Sequence, residues 1–306
     1  MPLNGHGDLA IVELIFYTPA LALALWVAAR HGFSKQAGWI SLAILPFIRI
    51  IGSAMLLASE YHPSNGLIEG ATALENVGLS PLLLAMLALL KRVNESMPNR
   101  LLPPRIFNLM GTPLVVAPIL GIISATDIYS SDPSDRATGK ALRHAAVILY
   151  VICYIAQVAI TFLALPKARE LTQGEARLLV AIAISTPFLA SRLLYSVIGA
   201  FASTSSIFNP VTGSAILLGL MAILMEFIVV VLYLAAGFVA PVIRGNQVRS
   251  QGAEHATPLY NSQGRDGHQD PQQQQQQRQR QRSRNETAYT IARHIPVVRL
   301  FVGRFG

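Results

Sequence analysis

Polar and apolar residues along this chain come in blocks rather than in alternation. Seven apolar blocks, at about 9–29, 38–58, 67–90, 107–125, 142–165, 177–201 and 213–240, reach the roughly 17–25 residues that carry a helix across a bilayer. A membrane strand would alternate apolar and polar positions. Here the apolar character is continuous, and backbone left unbonded in lipid is intolerable, so each block predicts a helix. Proline interrupts most of them, at Pro19, Pro46, Pro81, Pro113, Pro118 and Pro187. In a membrane bundle these predict kinks rather than breaks. The fourth block is a short run that holds both Pro113 and Pro118. The pattern thus predicts an all-α bundle of seven transmembrane helices over residues 1–240. From Pro241 to residue 306 it predicts a separate polar tail.

Composition agrees with the pattern. Of 306 residues, 52% are hydrophobic and 13% charged, with a mean hydropathy of +0.46. A soluble domain carries about 25% charged residues. The net charge of +8 divides unevenly: the tail holds ten arginines against four acids, which is +6, and leaves +2 for the membrane body. The high bulk charge is therefore no sign of specific nucleic-acid binding, and no recognition fold accompanies it. Cys153 is the single cysteine, so an internal disulfide and a cysteine-based metal site are both ruled out. The segment before the first block, MPLNGHGD, has no Lys or Arg, and a cleavable signal peptide is not expected.

Charge also sets an orientation. Arg30 and Lys35, then Lys91, Arg92, Arg100 and Arg105, then Lys167, Arg169 and Arg177 follow the first, third and fifth blocks. The N-terminus and the loops 59–66 and 203–212 hold no Lys or Arg, and Arg136 and Lys140 on that side stand beside Asp127, Asp132 and Asp135. Short loops rich in Lys and Arg stay cytosolic, so the N-terminus is expected outside or in a lumen and the tail in the cytosol. The tail's run QQQQQQRQRQRSR has no apolar face to bury and is expected to be disordered. Its end, AYTIARHIPVVRLFVGRF, mixes apolar residues with arginines and could contact anionic lipid or cytosolic proteins. The sequons at Asn94 and Asn285 fall on the cytosolic side and should stay unmodified.

Five ionisable residues fall within the blocks: Glu13, Arg49, Glu75, Arg192 and Glu226. A charge at mid-membrane costs about 2.5–3.5 kcal/mol on insertion scales, so it faces a partner or a watery cavity. From helix rise, Arg49, Glu75 and Arg192 lie roughly 12–13 Å from the outer ends of their blocks, and Glu226 nearer 20 Å. Glu13 is shallower, roughly 6–8 Å, near enough to the interface to reach water. Two arginines and two glutamates therefore share one slab. Either they line a cavity or they clamp four helices together. Tyr195, three residues after Arg192, shares its face and could join the cluster or simply pack. Gly199, Gly213, Gly219 and Gly237 suit close helix approach. Trp26, Trp39, Tyr17 and Tyr233 read as interface anchors or contacts. His144 and Gln157 could extend a polar path, although a lone histidine is more often a satisfied structural residue.

Several classes drop out. The lysines are Lys35, Lys91, Lys140 and Lys167, none in the seventh block, so a retinal Schiff base there is excluded. Histidines do not stand at metal-ligand spacing beside carboxylates, which argues against a zinc hydrolase. No phosphate- or dinucleotide-binding glycine motif stands in a soluble context. No cofactor is expected.

The stretches LPFIRIIGSAMLLAS, LIEGATALENVGLSPLLLAMLALLKR, PFLASRLLYSVIGAF and FNPVTGSAILLGLMAILMEFIVVVLYLAAG resemble a family of filamentous-fungal seven-span integral membrane proteins without an established function. The resemblance covers Asp8 to Ala240. It implies that Arg49, Glu75, Arg192, Tyr195 and Glu226 belong to the family pattern, and supplies no chemistry for them. Three functions stay open. A receptor-like protein would use the cluster to floor a pocket for a small molecule or lipid. A transporter or lipid translocator would exchange protons at Glu75 and Glu226. A membrane-embedded enzyme, the least favoured, would use one of those glutamates as a general acid.

Overall fold

The computed structural model describes residues 5–31, 37–62, 64–128, 130–202, 207–208 and 213–240. Among these residues seven helices are long and apolar enough to cross a membrane, and there is no strand. The all-α bundle expected from the apolar blocks is thus the fold found. The tail from Pro241, with its Gln/Arg run and basic end, lies outside the described residues.

The first two spans are α1 (Gly5–His31) and α2 (Ala37–Tyr61). The third is split into α3 (Asn65–Val77) and α4 (Leu79–Ser96), followed by α5 (Pro104–Ile128). The fifth, α6 (Pro133–Ala164), runs into a 3₁₀ segment at Leu165–Glu170, and α7 (Gln173–Phe201) is the sixth. The seventh joins α8 (Ala215–Leu218), a π-helical segment at Gly219–Ile223, and α9 (Leu224–Val239). Several helices outrun the apolar blocks into their polar flanks. For α6, Asp132 accepts a hydrogen bond from the Ser134 amide at 2.8 Å, with Pro133 at the first helical position.

Two spans differ from the unbroken helices expected. In the third, Pro81 has no amide to offer the Val77 carbonyl four residues back, and α3 ends at Val77 with Gly78 as the joint. In the seventh, the π segment sits one turn before Glu226. Such segments insert an extra residue into the helical repeat and re-aim the side chains around them.

The spans close into a ring in chain order, each touching the next, and α9 returns to α1. The α4 half of the third span leans inward and touches α2, α5, α6 and α7. Its Leu79, Leu82, Leu83, Met86 and Leu90 are fully buried, and they form the centre of the core. The window of the third span is 67% buried against 22% for the fourth, so the third is the axis and the fourth an outer wall. Ile15, Leu109, Ile152, Ile155, Phe162 and Ile216 point outward, each more than half exposed. A soluble surface would not carry such a belt; in a multi-pass membrane protein it faces lipid.

The aromatic residues divide between the two expected roles. Trp26 stays partly exposed, with Arg30 over its ring at 5.8 Å, as an interface anchor would. Trp39 is buried and stacks on His31 with ring centroids 4.9 Å apart. Tyr233 is also buried, its hydroxyl 3.0 Å from that of Ser185. A Cβ on Gly237 would lie 2.7 Å from Val27 and 2.8 Å from Trp39, so this glycine lets α9 seat against α1 and α2.

Candidate functional site

Four elements each deliver one charged side chain to a common level. They are Arg49 from α2, Glu75 from α3, Arg192 from α7 and Glu226 from α9. Counted from the helix ends, these positions lie roughly 13–18 Å into the bundle. Glu226 is the hub. Its Oε1 accepts from Arg49 Nε at 2.7 Å and from the Tyr17 hydroxyl at 2.8 Å. Its Oε2 accepts from Arg49 Nη2 at 2.5 Å and from Arg192 Nε at 3.3 Å. Glu75 bridges the same two arginines, taking Arg49 Nη1 on one oxygen and Arg192 Nη2 on the other at 3.2 Å. Arg192 also donates to Ser196 Oγ at 2.8 Å and to the Glu75 carbonyl at 3.4 Å. Two-pronged arginine–carboxylate pairing of this kind fixes orientation as well as distance.

Burial raises the stakes of every contact. Arg49, Arg192 and Glu226 are almost wholly buried, and Glu75 only slightly less. Removing one member of a buried pair typically costs about 3–5 kcal/mol, because the partner's charge is left stranded. The local backbone is shaped to hold Arg49. A Cβ on Gly78 would lie 2.8 Å from its Nη2 and 3.0 Å from its Cζ, so the guanidinium lies flat against the joint between α3 and α4.

Glu13 corrects the expectation of a shallow, water-reaching carboxylate. The helix starts at Gly5, not at residue 9, which moves Glu13 deeper. It is 5% exposed, accepts a hydrogen bond from Ser53, and has its other oxygen 3.6 Å from Arg49 Nη1. The cluster is therefore three carboxylates on two guanidiniums, not two on two. Tyr17, read as an anchor or a contact, completes it as a contact. Tyr195 does not hydrogen-bond into it. Its ring tilts against Phe208 at 6.1 Å, and its hydroxyl has no hydrogen-bond partner.

Two narrow clefts flank the cluster. The first, with room inside for a few waters, lies between α1, α2, α3 and the start of the seventh span, with Glu13, Arg49, Glu75 and His6 in its wall. The second, equally narrow, lies between α3, α5, α6 and α7, with Glu75, Arg143, Arg192 and Tyr195 in its wall. Glu75 is common to both. His144 does not extend a polar path; it stacks on Phe201 at 4.3 Å, with Nε2 3.0 Å from the Ala200 carbonyl oxygen. Gln157 is fully buried, and neither of its terminal atoms has a hydrogen-bond partner.

A second ionic site at the other end of the ring escaped the sequence reading. Arg92 donates to Glu175 through Nε at 3.0 Å and Nη2 at 2.6 Å, pinning α4 to α7. Beside it His31 Nε2 lies 2.9 Å from the Gly237 carbonyl oxygen, and Arg30 donates to the Phe238 carbonyl at 2.7 Å. Arg92 and Glu175 fall outside the apolar blocks and read as loop residues. The helices outrun those blocks and bury both. Asn94, read as an unused sequon, is likewise buried. It accepts from the Leu101 and Leu102 amides at 2.9 and 3.1 Å and donates to the Leu102 carbonyl.

Comparison with curated proteins finds no match. A family model does match, over residues 3–243, and takes in the whole ring with every residue of the cluster. The chain belongs to the family described as a domain of unknown function, DUF7702.

Proposed function

We propose that this is a receptor-like membrane protein, oriented with its N-terminus outside, in which a small molecule or lipid binds beside the Arg/Glu cluster. One observation carries the reading: two clefts open onto the same buried charges. A pure clamp needs no such access, and water reaching the charges would only weaken it. A ligand in either cleft would touch side chains that tie α2, α3, α7 and α9 together. Binding would therefore bias how those helices sit. The resemblance to fungal seven-span proteins gives the wider setting.

Mass spectrometry of small molecules that co-purify with the full chain tests this. A discrete molecule should accompany the wild type and be lost from Arg192→Ala, while that variant still reaches the membrane. Arg192→Ala retaining the same molecule at the same occupancy would remove the cluster from ligand binding.

The shared position of Glu75 favours a second reading, proton-coupled transport, because one carboxylate faces both clefts. A pH-dependent flux in reconstituted vesicles, abolished in Glu75→Gln, is the outcome that would put transport ahead of sensing.

A further inference from the structure

The cluster does not balance. Glu13, Glu75 and Glu226 set three carboxylates against the two guanidiniums of Arg49 and Arg192. Arg143 does not restore the balance at Glu13. It lines the second cleft, which Glu13 does not reach, and the charges acting on Glu13 are Arg49, Glu75 and Glu226. His6, the other titratable group in the wall of the first cleft, stands two turns away along α1, about 10 Å by helix rise. Tyr17, also on α1, is spent on Glu226. A carboxylate left unpaired in such surroundings is costly, and taking up a proton removes the cost.

The hydrogen bonds single out the carboxylate in excess. Glu226 accepts from Tyr17, from Arg192 and twice from Arg49. Glu75 accepts from both arginines. Glu13 has no charged donor within hydrogen-bond reach. Its Oε2 accepts from the Ser53 hydroxyl, and its Oε1 is buried without a hydrogen-bond partner, 3.6 Å short of Arg49 Nη1. That nitrogen is turned to Glu75 instead. Ser53 suits either state of Glu13, since a hydroxyl donates to a carboxylate and accepts from a carboxylic acid. The first cleft, with Glu13 in its wall, has room for a few waters. A proton needs no more than that. A metal cation needs several oxygens around it, and the described residues hold no group of three His, Cys, Asp or Glu placed to supply them.

We infer that Glu13 is a proton-binding site, which at neutral pH holds the one proton that makes the cluster neutral, and that the first cleft is its way in. Binding is an acid–base step: a proton passes from hydronium or a buffer acid to Glu13 Oε1, and no other bond is made or broken. Release sets an ionised Glu13 beside Glu75 and Glu226, where it competes for Arg49. That arginine ties α2 to α3 and α9, so the proton bears on how these helices are held together. The site goes beyond both functional readings, because neither requires a proton on Glu13.

Infrared spectra of the full chain, in a detergent that has no carbonyl group, test this. At neutral pH the wild type should show the C=O stretch of a protonated carboxylic acid, shifted on exchange into heavy water. The band should be lost in Glu13→Gln and kept in Glu95→Gln, which changes an exposed glutamate. Melting gives a second reading, because Gln is the neutral isostere of a protonated Glu. Glu13→Gln should melt no lower than the wild type at neutral pH. A folded state that holds a proton the unfolded chain has released loses stability as pH rises, so the wild-type melting temperature should fall with rising pH and the Glu13→Gln value should fall less. A band that survives in Glu13→Gln, or a variant that melts well below the wild type at neutral pH, overturns the assignment. No acid band in the wild type overturns the proton itself. Sodium raising the wild-type melting temperature over N-methylglucamine at equal ionic strength would then give the site to an alkali cation. None of these readouts uses a co-purifying molecule or a flux, so failure here leaves the receptor-like and transport readings to their own tests.

Discussion

Two tyrosines stand beside the same charges and differ in what their hydroxyls meet. Tyr17 donates to Glu226 at 2.8 Å, whereas the Tyr195 hydroxyl, equally buried, meets nothing. A hydrogen bond to a charged acceptor is worth about 1.5–3 kcal/mol, and the hub carboxylate has no water to replace it. Tyr17→Phe should therefore cost stability in that range and lower the thermal midpoint in nanodiscs. Tyr195→Phe should leave it unchanged or slightly higher, since it deletes a hydroxyl already deprived of its partner. Equal losses in the two variants would mean that the Tyr195 hydroxyl is satisfied after all. The sequence offers no way to tell these residues apart. Tyr195 shares a helix face with Arg192 through local spacing, which is legible. Tyr17 reaches Glu226 from 209 positions away, which is not.

The interrupted third span shows what an element adds to its residues. Continuous apolar character predicts seven helices, and seven are found, because lipid demands internally bonded backbone wherever the run is long enough. Depth was legible as well: rise per residue brings Arg49, Glu75, Arg192 and Glu226 to one level, and their side chains touch. Where the helices begin and end was not legible: α1 and α7 start before their apolar blocks and α4 ends after its own, which takes in Glu13, Glu175 and Arg92. Gly78 is the sharpest case, a residue whose meaning lies in Arg49 lying against it. Within a helix Gly→Ala ordinarily gains about 0.5–1 kcal/mol, whereas forcing a methyl into occupied space costs about 1–3 kcal/mol. The guanidinium cannot slip aside without breaking bonds to Glu226 and Glu75, so the steric cost should win and Gly78→Ala should melt lower than the wild type. Gly111→Ala is the matched control. Its new methyl would meet only Leu87 Cδ2, at 3.9 Å, and it should melt slightly higher. A rise at both positions would show that Arg49 is free to move.

At the scale of the whole molecule, the ring gathers the loop charges at one end. Helix alternation puts the end of α1, the end of α4 and the start of α7 on the same side, so Arg30, Lys91, Arg100, Arg105, Lys167 and Arg169 meet there. Arg92 is neutralised inside the ring by Glu175 and adds nothing to that surface. The opposite side has Arg136 and Lys140 beside Asp127, Asp132 and Asp135. Basic residues in short loops resist translocation, and the asymmetry survives the loss of Arg92. Cysteine labelling reads the orientation directly, because the native Cys153 is buried and contributes little background. In sealed vesicles of known sidedness, a membrane-impermeant maleimide should label Ser131→Cys only from the outer or lumenal face. It should label Asn99→Cys only from the cytosolic face; both positions are exposed. The reverse pattern would invert the molecule and turn both clefts toward the cytosol, where an extracellular ligand could not reach them. Labelling of both positions from one face would break the alternation of the spans themselves. The orientation therefore decides which compartment the two clefts face.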